Sequence, residues 1–435
     1  MTETVGARSD APEESVEYKI LEEDVQRLRQ RIGIPTPALS ESYNPVADRT
    51  SISHYAFGNG EDNPLFHDPD YGRASRWRGQ IAPPTFLVSA GINETRKSTD
   101  PEIKKLFKGV FRGVGKYYSG VRWEWFKPVY AGDDIFEESW LSDVQEKTSS
   151  FGAGSRSIME TTRSFYVDRA GLPFATRDES YVNIERGASR KGGKFAGVER
   201  ARYTPEEIER IDADYAKEVV RGAEPRWWED VEVGESIGHV VKGPTTVVDV
   251  ISNQMARGWG GYGPGPLRYA WKLRRRMPAF YVEDEYGVPD VVQRLHWDQR
   301  RAEAVGLPAP YDYGQMRTAW LAHVVTNWMG DDAWLWRLEN QLRSFNFLGD
   351  THWCSGEVVG KRVEDGHHVV ELSLRATNQR GEVTASGSAV VILPSREHGP
   401  VVLPTPPAEL RRRGAAIAAK AANVRRGFES AGPTR

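Results

Sequence analysis

Apolar and polar side chains alternate from Tyr118 to Phe126, which predicts a strand with one buried face. The run from Ser164 to Pro173 predicts a second strand ending in a turn, and Pro128 to Asp133 reads as a tight turn leading into a third. Leu21, Val25, Leu28 and Ile32 recur at helical spacing, so an amphipathic helix is predicted over that stretch. Farther along, Glu357 to Lys361, His368 to Ala376 and Thr384 to Leu393 are strand candidates, with a turn at Asn378 to Gly381. A helix is predicted over Met316 to Trp328, and Thr85 to Ile92 is its counterpart in the earlier part of the chain. Each half therefore reads as one buried helix wrapped by antiparallel strands.

The two halves also share short motifs. Gly60 to Asp68, containing Asn63-Pro-Leu-Phe-His67-Asp, precedes Ile81-Ala-Pro-Pro-Thr-Phe86. Leu295-His-Trp-Asp298 precedes Pro310-Tyr-Asp-Tyr-Gly-Gln-Met316. The histidines His67 and His296 stand 229 positions apart, a period that means duplication of a whole domain. The expected organisation is a disordered stretch over 1–17, a first domain over 18–184, a linker over 185–224, a second domain over 225–395 with an insertion at 262–290, and a basic tail over 396–435. Within the linker, Thr204-Pro-Glu-Glu207 predicts a helix start with a capping side chain, proline at the first turn and acids beside the dipole.

At 435 residues the chain is long enough for two cores, and its 39% hydrophobic and 11% aromatic content can fill them. The net charge of −3 gives no bulk attraction to nucleic acid. The single Cys354 excludes a disulfide framework or a multi-cysteine zinc site, and it reads as a buried strand residue. No apolar run reaches the ~20 residues of a membrane span, and the polar, acidic start is unlike a signal peptide. A soluble cytoplasmic protein is the expectation.

Taken in order, these motifs resemble the MaoC-like acyl dehydratases. Asp62-Asn-Pro-Leu-Phe-His67-Asp with Ile81-Ala-Pro-Pro-Thr-Phe86 is similar to the N-terminal MaoC-type domain. Pro225-Arg-Trp-Trp-Glu-Asp-Val-Glu-Val-Gly234, Lys242-Gly-Pro-Thr245, His296-Trp-Asp298 and Asn378-Gln-Arg-Gly-Glu-Val383 are similar to the second half of double hot-dog members. The resemblance covers roughly 20 to 395. It implies an α+β double hot-dog fold and reversible hydration of a 2-enoyl thioester, usually a coenzyme A ester, to the (R)-3-hydroxy product. It implies no metal or other cofactor, with coenzyme A present only as part of the substrate. A homodimer, or assembly with a partner hydratase subunit, is expected.

Such chemistry needs a base for water, an acid for the α-carbon and donors for the thioester oxygen. The family places Asp and His five residues apart, a spacing that Asp62 and His67 keep. Alignment on Asn63-Pro-Leu65 instead puts Glu61 in the Asp place, with Asn63 a substrate-binding candidate. The second half offers His296 from the His-Trp-Asp motif, with Asp290 the nearest acid upstream. Oxyanion donors are expected where each buried helix starts, at Thr85 and at Gly314 beside Tyr313. Arg274 and Arg275 in the basic, aromatic insertion are candidates for the phosphates of coenzyme A, against the plainer reading of a solvated helix. The remaining histidines, His323 among them, show no ligand spacing. Two other functions stay open: a thioesterase on the same fold, and a non-catalytic subunit that binds acyl thioesters.

Overall fold

A computed structural model describes residues 19–37, 43–93, 100–107, 109–111, 113–148, 156–185, 198–258 and 266–431. The stretch 1–17, expected to be disordered, lies outside them. Ten strands form one continuous sheet: β1 (Ile92–Asn93), β2 (Gly115–Trp125), β3 (Phe136–Thr148), β4 (Arg156–Val167), β5 (Pro173–Ile184), β6 (Ser236–Lys242), β7 (Trp334–Leu342), β8 (His352–Glu364), β9 (His367–Asn378) and β10 (Val383–Ile392). Their spatial order is β1-β3-β4-β5-β2-β7-β10-β9-β8-β6. All neighbours are antiparallel except β1 and β3. The two halves meet at the β2–β7 seam, where Trp123 pairs with Leu338 and Val121 with Asn340. Gly120 belongs at this seam because a Cβ there would overlap the Asn340 carbonyl oxygen.

Among the described residues the helices of eight residues or more are α1 (Glu22–Arg29), α2 (Arg49–Gly58), α3 (Pro205–Tyr215), α4 (Val247–Arg257), α5 (Arg268–Arg276), α6 (Gly314–Met329) and α7 (Ala408–Ala431). α3 starts as its sequence predicts: Thr204 and Glu207 form a reciprocal capping box, with Pro205 at the first position. α6 is the buried helix of the second half. Fourteen of its sixteen residues, from Met316 to Met329, are buried, so the helix is enclosed on nearly every side, and its polar residues, Arg317 and His323 among them, meet partners inside the protein.

The first half departs from the expected pattern. Thr85 to Ile92 does not form a long helix; Pro84–Ser89 makes one short 3-10 segment. Ser89 Oγ donates to the Phe86 carbonyl at 2.8 Å and accepts from Asn44 Nδ2 at 3.1 Å. Side-chain bonding of this kind competes with helix propagation. Gly91, at φ +109°, then turns the backbone away, and Ile92–Asn93 joins the sheet beside Phe136–Glu137. One core nevertheless spans both halves, with Phe86, Trp123 and Phe174 from the first in the same apolar cluster as Trp320, Leu321 and Val325 from α6.

Candidate functional site

The two ends of α6 gather the candidate residues into two separate groups. At its N-terminal end lies His296, at the close of the 3-10 turn Val292–His296. Its Nδ1 is 2.7 Å from the Tyr311 carbonyl oxygen. A carbonyl can only accept, so Nδ1 carries the proton and Nε2 is left as a lone pair. The His296 ring stacks on Tyr313 with centroids 3.8 Å apart and a 28° tilt. Burial pushes the His296 pKa down to about 4, opposed by the Tyr311 hydrogen bond and assisted by the nearby Arg257 charge. The imidazole is therefore neutral, and able to accept a proton, across the neutral range.

Tyr313 is the N-cap of α6 and Gly314 its first residue. The opening N–H groups of a helix have no partner within it and carry the positive end of its dipole. Gly314 is required sterically: a Cβ would overlap Tyr118 Cδ1 and come within 2.6 Å of Leu342 Cδ1. This first turn lies against the first half of the sheet. Gln315 Nε2 donates to Glu179 Oε1 (3.3 Å) and to the Tyr181 hydroxyl (3.1 Å), and the Tyr118 and Thr318 hydroxyls are 3.2 Å apart.

Asp290 does not pair with His296. It sits on the short ribbon formed by Tyr281–Glu283 and Pro289–Val291, where its Oδ1 accepts from the Val291 N–H at 2.7 Å. Asp298 caps the helix Gln299–Ala304 and lies 3.3 Å from Arg294. Among the described residues no carboxylate is hydrogen-bonded to His296. The candidate phosphate ligands Arg274 and Arg275 lie on α5, which has no buried residue. Arg275 covers the Trp271 ring at 5.1 Å, the disposition of a solvated amphipathic helix.

The C-terminal end of α6 meets the Asn63 loop. Asp62 and His67 keep their sequence spacing but do not pair. The Asp62 side chain is 80% exposed, whereas His67 Nε2 lies 2.7 Å from the Glu61 carbonyl oxygen. Glu61 is the carboxylate that turns inward, 3.3 Å from His323 Nε2 and 3.3 Å from the Thr326 hydroxyl. His323 Nδ1 in turn accepts from Lys242 Nζ at 2.8 Å, and the same ammonium donates to the Asn59 and Gly60 carbonyls at 3.0 and 2.9 Å. Burial pushes the Glu61 carboxyl up to about 8, with Lys242 pulling the other way. Burial also drives His323 well below its ordinary value. Asn63 caps the helix Pro64–His67 through its side-chain oxygen and donates to Asp331 at 3.2 Å. Beside it opens an apolar pocket lined by Phe66, Trp77, Leu87, Trp125 and Trp334. Thr85, the other expected oxyanion donor, heads no long helix, and its Oγ1 and carbonyl oxygen both lie within 3.0 Å of the Tyr55 hydroxyl.

Cys354 is buried, and its thiol is pushed up to about 12 by burial. Among the described residues no cluster of side chains is arranged to hold a metal ion, and no helix is long and apolar enough to cross a membrane. Sequence reasoning missed three residues: Lys242, His323 and Arg257. The first two are buried partners of Glu61. The third ends α4 beside Tyr313, its guanidinium carbon 5.7 Å from that ring's centroid.

A model of the FAS1-like dehydratase domain region matches residues 31–177. A UPF0336 protein of Parafrankia sp. (strain EAN1pec) is 29% identical over 118 residues, which are 27% of this chain and 70% of that protein. A UPF0336 protein of Thermobifida fusca (strain YX) is 25% identical over 120 residues, 27% of this chain and 75% of the relative. A solved MaoC-like dehydratase superposes with a TM-score of 0.57, covering 84% of this chain and 99% of its own at 16% identity. That superposition extends the likeness from the first half to both halves, and the α+β double hot-dog architecture expected from the motifs is borne out.

Proposed function

We propose that the chain, which shares its fold with a solved MaoC-like dehydratase, is a hydratase of that kind and reversibly hydrates a 2-enoyl thioester to the 3-hydroxyacyl thioester at the N-terminal end of α6. The observation that carries this reading is His296, whose Nδ1 is tied to the Tyr311 carbonyl and whose ring stacks on Tyr313, the N-cap of α6, while among the described residues no hydrogen bond reaches Nε2.

In the hydration direction, Nε2 takes a proton from water as the oxygen bonds to C3. The C2–C3 π pair moves to make an enolate, whose oxygen is held by the Gly314 N–H at the positive end of α6. The imidazolium then returns its proton to C2. One histidine serves as base and then as acid, a role that fits the lack of a carboxylate partner. The (R) configuration and the coenzyme A carrier come from the family resemblance alone.

The test is the absorbance of the enoyl-thioester band after mixing purified protein with crotonyl-CoA. Loss of absorbance without free thiol is the expected result. Release of thiol instead would make the protein a thioesterase. No change with folded protein would leave a thioester-binding subunit. Within an active protein, His296→Ala is expected to lower kcat/KM by about 10²–10⁴, the contribution of a positioned acid–base group, and His67→Ala by less than about tenfold. The reverse order would move the site to the Asn63 loop and its apolar cavity.

A further inference from the structure

Arg257, half-buried at the end of α4, keeps its Nη1 buried, and among the described residues that nitrogen has no hydrogen-bond acceptor. Its guanidinium carbon lies 5.7 Å from the centroid of the Tyr313 ring, and its charge also acts on Tyr118, Tyr181 and His296. A buried guanidinium N–H without an acceptor is unfavourable unless a ligand provides one. Tyr313 carries His296 stacked on it, so Arg257 and the His296 imidazole flank the same phenol. The negative charge in the neighbourhood is already taken: Glu179 accepts from Gln315 at 3.3 Å and lies 3.7 Å from Arg177. The wall facing this end of α6 is also polar for an acyl site. It presents the Tyr118 and Tyr181 hydroxyls, both in the polar network of α6.

We propose that Arg257 is a specificity residue that binds a carboxylate carried on the acyl part of the substrate, so that the protein acts on enoyl thioesters of dicarboxylic acids. This rests on the hydratase reading of His296 and adds the substrate class to it. The guanidinium presents a planar fork that a carboxylate fills with two parallel hydrogen bonds. An unbranched hydrocarbon chain would leave that fork unpaired.

The experiment compares glutaconyl-CoA with crotonyl-CoA as substrates and glutaryl-CoA with butyryl-CoA as unreactive ligands, for the parent protein, Arg257→Gln and Arg257→Lys. Binding of the unreactive pair is read by calorimetry. The parent is expected to favour the carboxylated member of each pair by about 10–100-fold, the range for hydrogen bonds to a charged group. Arg257→Gln is expected to abolish that preference while binding butyryl-CoA as the parent does, which also shows that the variant is folded. Arg257→Lys is expected to restore part of it, as a charge without the fork. Equal weakening of both members by Arg257→Gln, or no preference in the parent, would overturn the proposal. Selective binding of glutaryl-CoA without turnover of either enoyl ester would keep the subsite and sink the hydratase reading. Turnover of both esters without discrimination would do the opposite.

Discussion

Glu61 and His323 face each other across 3.3 Å, one from the Asn63 loop of the first half and the other from α6 of the second. Lys242 closes the group by donating to His323 Nδ1 and to two carbonyls, so all three of its ammonium donors are used. Burial lowers the ammonium's pKa even so. This buried polar group joins the halves on the side of α6 away from His296. With Nδ1 accepting, Nε2 is the protonated nitrogen of the neutral ring, 3.3 Å from Glu61 Oε1.

Glu61 makes stability depend on pH. Its carboxyl titrates near 4.5 when unfolded and near 8 when buried. Between those values the folded protein keeps a proton that the unfolded chain has released. The contribution is therefore complete below about pH 4.5 and is lost as pH rises through 8. Lys242, whose pKa is lowered by burial, acts in the opposite sense: its contribution is present above pH 10.5 and is lost as pH falls. Glu61→Gln is expected to flatten the urea midpoint between pH 5 and 8 and to raise Tm at pH 8 by a few degrees. A variant that keeps the parental slope would assign the pH dependence to another group.

The pH profile of the reaction tests His296 separately. A base with a pKa near 4 is protonated only in acid. The expected kcat/KM is flat from about pH 5.5 upward and falls below pH 4, because protonation removes the Nε2 lone pair. An acid limb near pH 6.5 would mean that the imidazole is more hydrated in the working enzyme than its packing here implies.

Asp312 and Arg317 form a second buried pair, with side chains 1% and 2% exposed and Nε to Oδ2 at 3.0 Å. Arg317 Nη1 also donates to the carbonyls of Ser344 and Thr384, and Asn346 donates to Asp312. Removing one partner strands the other charge, so Arg317→Met is expected to destabilise the protein by about 3–5 kcal/mol in urea unfolding. Burial pushes the Asp312 carboxyl up to about 6, so its favourable contribution is lost as pH rises through 6. The loss in Arg317→Met is therefore expected to be larger at pH 7.5 than at pH 5. A loss below about 1 kcal/mol at both pH values would mean that water reaches the site.

Much of this architecture is local enough to be read along the chain. The Thr204–Glu207 box lies within four residues, β8 to β10 show two-residue alternation or β-rich runs, and the turn at Asn378 to Gly381 marks their hairpin. The Asn63 register was also informative, since it put Glu61 in the carboxylate place, and Glu61 is the one that turns inward. What stayed hidden depends on distant packing. His323 lies in a helix buried on all sides, where period gives no sign of which residue meets a charge. Lys242 looks like an ordinary strand end until Asn59, Gly60 and His323 surround it. The first-half helix failed to form because Ser89 and Gly91 redirected the backbone, and hydrophobicity alone does not record that effect.

Gly314 and Tyr118 supply a last test, of the junction itself. The α6 backbone approaches the Tyr118 ring so closely that a Cβ at position 314 cannot fit without movement. Gly314→Ala is expected to cost about 1–3 kcal/mol from overpacking. It should also displace the helix start that would hold the enolate oxygen, lowering kcat more than it raises KM. Tyr118→Ala removes the obstructing ring, so the double variant is expected to recover part of the Gly314→Ala activity, while Tyr118→Ala alone loses the hydroxyl contact to Thr318. Strict additivity of the two changes would show that they do not share the contact, since neighbouring sites should couple by about 0.5–3 kcal/mol. It would then place the cause of any Gly314→Ala defect in the helix backbone itself.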